Sequence, residues 1–135
     1  MSINNFLEGK VSDRDLAYKR LVRKLTVENI WMYVLRMLLE RPLYAYEIRN
    51  ILKSRFGFNV ATITTYMVLY KMEREGLIKK TTKRESGRRQ YYKITPLGLK
   101  TLKDGLSLLE KTLKNLTLPE SSISINNPLN DRDKR

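Results

Sequence analysis

The sequence predicts a mainly α fold with one small β-hairpin, an α+β arrangement closed by a long carboxy-terminal helix. Three observations carry this. Apolar side chains recur at helical spacing through residues 27–75. An aromatic and β-branched segment with a Gly-containing turn comes next. Leucines then repeat at alternating intervals of three and four from Leu99 to Leu116. The length of 135 residues fits one domain, and 41% apolar residues supply a modest core. The chain has no His and no Cys, which excludes zinc fingers, thiol catalysis, Ser-His-Asp triads and disulfide frameworks. No metal or cofactor is expected. An enzyme is the least expected class, because the scattered carboxylates and tyrosines form no acid–base, phosphate-loop or nucleophile pattern. With 27 Lys and Arg against 14 Asp and Glu, the formal charge is +13. That balance points to a polyanionic partner, nucleic acid before membrane. No stretch approaches the roughly 18 apolar residues of a membrane span. The first twenty residues hold Glu8, Asp13 and Asp15 without an apolar run, so no signal peptide is expected. Absence of cysteine fits a reducing, cytoplasmic location.

Residues 1–11 are expected to be a flexible amino terminus, followed by a domain over 12–116. Ser12-x-x-Asp15 resembles a capping box. It opens a short helix carrying Leu16, Leu21, Val22 and Leu25, expected to pack on the carboxy-terminal helix of the same or a partner subunit. Residues 27–40 place Ile30, Val34, Leu35, Leu38 and Leu39 at helical spacing, with Thr26 as N-cap and Arg41-Pro42 as the stop. A second helix over about 44–55 should pack Tyr46, Ile48, Ile51 and Leu52 and end at Phe56-Gly57-Phe58. Trp31, Tyr44 and Tyr46 are core candidates on spacing, with a ligand pocket as the rarer alternative.

A third helix runs from about Thr62 to Glu75. Ile63, Tyr66, Leu69 and Met72 recur every three residues and are expected to face the core, leaving Thr62, Thr64, Thr65, Val68 and Lys71 on the exposed side. Short hydroxyl and β-branched side chains near a helix start can hydrogen-bond base edges or touch a thymine methyl. Leu77-Ile78 then opens a strand, Glu85-Ser86-Gly87 turns, and Arg89–Thr95 returns as a second strand. Lys83, Arg84, Arg88 and Arg89 ring the tip. Residues 77–93 hold seven cations against Glu85 alone, a local charge of +6. Helix, helix, recognition helix and basic hairpin, in that order, make a winged helix-turn-helix. Its third helix belongs in the major groove of duplex DNA and its wing on the backbone or adjacent minor groove.

Thr95-Pro96 is a helix start, a capping hydroxyl followed by proline at the first helical position. Over residues 96–116, Leu99, Leu102, Leu106, Leu109, Leu113 and Leu116 are spaced 3, 4, 3, 4, 3. So strict a heptad stripe reads as a dimerisation seam with a second copy rather than packing on the domain's own body. Glycine inside a helix costs about 1 kcal/mol. Since the leucine phase continues across Asp104-Gly105, one helix is expected, with close backbone approach or a kink there. Residues 117–135 are polar and expected to form a disordered tail.

Three blocks of the sequence resemble the PadR-type transcriptional regulators. Pro42-Leu43-Tyr44-Ala45-Tyr46-Glu47-Ile48 is similar to that family's P-L-H-G-Y-E-L. Tyr66-x-x-Leu69-x-x-Met72-Glu73-x-Glu75-Gly76-Leu77-Ile78 is similar to its Y-x-x-L-x-x-L-E-x-E-G-L-I, and Arg88 to Gly98 to its R-x-x-x-Y-x-L-T-x-x-G. The blocks stand in family order across residues 26–102. Ala45 replaces the family's usual glycine, and Ile63 its small residue near the start of the recognition helix. MarR-type regulators share the latter half of the pattern. The resemblance implies a homodimeric DNA-binding repressor with its recognition helix at about 62–75. It also implies a small aromatic effector near Trp31, with Tyr44 as a second candidate for that pocket.

The expected function is therefore sequence-specific regulation of transcription on double-stranded DNA, in the cytoplasm and associated with the nucleoid. Thr64, Thr65 and Lys71 are the leading base or groove contacts, and Arg88 an anchoring one. Two alternatives follow from charge alone: an architectural protein that binds duplex DNA with little sequence specificity, and a module whose wing binds an acidic protein or RNA.

Overall fold

The computed structural model describes residues 15–82 and 87–119. Helix α1 (Leu16–Leu25) is followed by a 3-10 turn (Val27–Asn29), α2 (Ile30–Leu38), strand β1 (Leu43–Tyr44), α3 (Ala45–Ser54), α4 (Thr62–Arg74), β2 (Ile78–Thr81), β3 (Tyr91–Ile94) and α5 (Pro96–Leu116). The mainly α architecture with a basic wing is as the sequence predicts. The described residues up to Leu102 form one compact unit, and those from Lys103 onward a second. Ser12, the start of the expected capping box, lies outside the described residues. Asp15 makes no side-chain capping bond.

The sheet has three strands rather than the two of a hairpin, in the order β1-β3-β2 and antiparallel throughout. Leu43 pairs with Tyr92 and Tyr44 with Tyr91. The sequence reading ran the second helix back through Tyr44 and so missed β1. A two-residue strand is too short for period-two alternation to show. Thr26 is buried, but it does not cap α2. Its hydroxyl donates to the Val22 carbonyl at 2.6 Å, so it closes α1. Tyr33 joins the two helices by donating its phenol to the Leu25 carbonyl at 2.6 Å. The Tyr33 ring meets Phe56 and Phe58 edge-on at 5.1 and 4.7 Å.

Leu35, Ile48, Leu52, Phe58, Leu69, Met72 and Ile78 fill one core, drawn from α2, α3, α4, the α3–α4 turn and the sheet. Tyr46, expected there, is exposed. The turn from α3 to α4 is built on Gly57 (φ +79°), where a side chain would be strained. The Gly57 amide reaches the Lys53 carbonyl at 3.1 Å, and the Phe58 amide that of Leu52 at 2.9 Å. Arg49 donates from Nε to the Val60 carbonyl at 2.6 Å, tying α3 to the backbone just ahead of α4.

The rotational setting of α4 differs from the expected one. Ile63 and Tyr66 are exposed, whereas Thr65, Leu69 and Met72 are buried. A step of three residues turns a helix through about 300°, so the nine residues from Ile63 to Met72 sum to half a turn beyond whole turns. The two side chains therefore project from opposite faces. Thr65, Leu69 and Met72, spaced by four and three, stay within one face. Thr65 is thus a core residue, not a surface one, and its hydroxyl is satisfied by the Ala61 carbonyl at 3.1 Å.

Thr95 knits the wing to α5. Its hydroxyl donates to the Gly76 carbonyl at 2.6 Å and accepts the Gly98 amide at 3.0 Å, the capping role expected of it. A close backbone approach occurs at Gly98, and α5 stays helical through Gly105 as expected. Leu102 departs from its expected role. It is buried in the core of the first unit, so it is not free to join a seam.

Candidate nucleic-acid interface

Helix α4 is presented by α3 in the manner of a helix-turn-helix. The start of α3 is fixed by Glu47, which accepts the Tyr44 amide at 3.4 Å and pairs with Arg41 at 2.8 Å. With Thr65, Leu69 and Met72 turned inward, the opposite face of α4 carries Ile63, Met67, Tyr70 and Arg74. The first three are 71%, 65% and 64% exposed. Tyr66, Thr62, Thr64 and Lys71 flank this stripe and are also exposed. Arg74 sits over the Tyr70 ring, 5.7 Å from its centroid.

The sheet supplies the second part of the surface. Tyr92 and Ile78 turn to the core, so Tyr44, Tyr91, Lys79 and Lys93 share the other face. Lys79 and Lys93 are directly opposed across β2 and β3. Like charges in that position destabilise a sheet, and a bound polyanion relieves the repulsion. Arg89 is exposed, with its guanidinium 4.8 Å from the centroid of the Tyr44 ring. Tyr44 in turn stacks near Tyr46 at 6.4 Å and meets Tyr91 edge-on at 5.3 Å. The aromatic shelf holds a cation at the base of the wing with little loss of rotamer freedom. Lys80 lies 3.9 Å from Glu73 and is partly neutralised. Burial, with Glu73 adding to it, raises the pKa of the Tyr92 phenol above its usual value, so it stays neutral at physiological pH.

The expected contact residues are thus sorted. Thr62, Thr64 and Lys71 lie exposed on α4, and Arg88 and Arg89 exposed on the wing. Thr65 is removed from the surface by burial. Val68 is half-buried and packs on the core. Lys83 and Arg84 lie outside the described residues. Ile63, Tyr66, Met67, Tyr70 and Arg74, also exposed on α4, are not among the contact residues expected from the sequence. Fixing the helix phase on Leu69 and Met72 with a 3.6-residue period, instead of a step of three, would have exposed them.

Trp31 borders a cleft of about 560 Å³, lined also by Val68, Lys71, Met72, Glu75 and Leu97. Its indole donates to Asn29 Oδ1 at 3.1 Å. Tyr44 does not line this cleft. It belongs to the aromatic shelf, so the two residues expected to share a pocket are not brought together. In the second unit, Leu106, Leu109, Leu113 and Leu116 all expose their side chains. Among the described residues, no helix is long and apolar enough to cross a membrane.

Comparison with known proteins agrees with this geometry. The model of the transcriptional regulator PadR-like family matches residues 34–104. A transcriptional regulator from Clostridium thermocellum is 30% identical, with a TM-score of 0.57, over 64% of this chain and 88% of its own. A PadR family transcription regulator from Clostridium difficile is 29% identical, with a TM-score of 0.53, over 64% of this chain and 95% of its own. The fold is shared with Bacillus subtilis PadR, whose structure is in complex with operator DNA. There the identity is 24% and the TM-score 0.52, over 58% of this chain and 46% of that one. Curated proteins give no significant match. A family match over more than half of the chain, on a winged helix-turn-helix with a cationic wing, makes this protein a member of the PadR-like family of transcriptional regulators.

Proposed function

We propose that the protein is a homodimeric, sequence-specific DNA-binding repressor. In this reading α4 enters the major groove, and the wing over about 77–95, with Arg88 and Arg89 and the neighbouring Lys83 and Arg84, grips the backbone or minor groove. The observation that carries it is the outward face of α4, held clear of the core and ending in Lys71 and Arg74, together with the exposed Arg88 and Arg89 of the wing. The operator complex of the Bacillus subtilis relative supports the same use of the fold. Thr62, Thr64 and Lys71 remain groove contacts in this reading, and Thr65 and Val68 act only by setting how α4 sits.

Leu106, Leu109, Leu113 and Leu116, with Leu99 at the near end, form the dimer seam. An isolated helix with exposed leucines at heptad spacing is stabilised chiefly by burying them against a partner. A two-fold dimer would set its recognition helices about 34 Å apart on successive major grooves. A small aromatic effector would occupy the cleft beside Trp31. Because Val68, Lys71 and Met72 of α4 line that cleft, its binding would bear directly on the recognition helix.

Selection from random duplexes at two salt concentrations tests the function. The expected result is a single enriched, pseudo-palindromic site at both. Retention of DNA without enrichment would instead favour an architectural protein carrying the same charge.

A further inference from the structure

Helix α4 offers an unusual set of side chains to a groove. Its first nine residues, Thr62 to Tyr70, include no Asn, Gln, Asp, Glu, Arg or Lys. These are the positions a recognition helix inserts against base edges. The contacts that best discriminate bases through hydrogen bonds are bidentate, from Arg or Lys to guanine and from Asn or Gln to adenine. None can arise from this stretch. What it presents instead is an apolar and aromatic stripe, flanked by the hydroxyls of Thr62 and Thr64. Ile63 and Met67 project into solvent one turn apart on the face opposite the core, with Tyr66 and Tyr70 beside them. Left unpartnered, such a stripe would be a liability on a surface. Lys71 and Arg74 stand in the last turn of the helix, Lys71 beside the stripe and Arg74 at its end. An apolar strip that ends in positive charge is complementary to a groove floor flanked by phosphates.

Resting on the reading of α4 as the recognition helix, we infer that its outward stripe reads thymine methyl groups, with Ile63 and Met67 as the specificity-determining residues. The thymine C5-methyl is the one apolar group that a natural, unmodified base pair displays in the major groove. Ile63 and Met67 lie about 6 Å apart along the helix axis, and Ile63 and Tyr70 about 10 Å. At about 3.4 Å per base pair, the stripe spans about three steps. The half-site should therefore contain two or three thymines within three or four adjacent pairs, on either strand.

Replacing thymine by deoxyuridine removes the methyl and leaves pairing intact, so the test does not depend on any protein variant. The full chain is titrated, by fluorescence anisotropy at fixed salt, against its selected duplex and against duplexes carrying deoxyuridine at one thymine at a time. Each contacted methyl should weaken binding about fourfold, the loss expected for one buried methyl-sized group. Ile63→Ala, at an exposed position where folding should be unaffected, should abolish the penalty at one thymine and leave the others. Deoxyuridine duplexes that bind as tightly as the parent at every position overturn the inference. Failure to enrich any duplex at all overturns the regulator reading itself, which keeps the two outcomes apart.

Discussion

A Cβ placed on Gly98 would lie 2.1 Å from the Leu77 carbonyl oxygen and 2.9 Å from Ile94 Cγ1. The Leu77 carbonyl cannot withdraw, because it also accepts the Thr95 amide and so fixes the junction of wing and helix. Gly98→Ala should cost about 1–3 kcal/mol by overpacking. The check is a lower denaturant midpoint with an unchanged slope. Thr65 teaches a related lesson. Its residue type and position near a helix start invited a base contact, but its neighbours place it inward. Thr65→Ala should lower stability by about 1 kcal/mol and leave sequence preference unchanged in a repeat selection. Residue type alone could not reveal this, because whether a threonine faces DNA or core depends on the phase of the whole helix.

At the scale of elements, the sequence was most informative where spacing is long and regular. The leucines of α5, the proline at its start and the glycine stop after α3 were all legible. Gly76 ends α4 with φ +78°, its amide bonding to the Glu73 carbonyl at 3.0 Å and the Leu77 amide to that of Met72 at 3.0 Å. Strand β1 was not legible, since two residues carry no pattern and only pairing with β3 makes them a strand. The face of α4 was misread because Ile63 and Tyr66 are large and apolar, and burial is the usual fate of such side chains. Here both are exposed, and the proposed reading gives them to the DNA. For α5 the expected seam loses Leu102, which the core has taken. Substituting Leu109→Glu and Leu113→Glu together should convert the proposed dimer to monomer in sedimentation velocity. DNA affinity should fall at least tenfold, because one half-site is then bound without its partner.

On the scale of the whole molecule, the charge of +13 is a measure of affinity rather than of choice. Counterion release makes phosphate contacts salt-dependent, whereas methyl contacts are nearly indifferent to salt. Arg88→Gln should therefore weaken binding to all duplexes alike and reduce the slope of log affinity against log salt by about one. Ile63→Ala should leave that slope unchanged. Anisotropy titrations over a series of salt concentrations separate the two. The proposed division between a cationic wing that anchors and an apolar helix face that chooses was half visible in the sequence. The wing's charge could be counted directly. The stripe on α4 emerged only when Leu69 and Met72 fixed the inward face.

A protein that selects a DNA sequence, rather than merely adhering to DNA, binds its selected duplex far more tightly than an unrelated duplex of the same length. The ratio of the two affinities at physiological salt decides between these behaviours. A ratio of about 10³ or more that persists as salt rises is expected. A ratio near one would mean adhesion without choice.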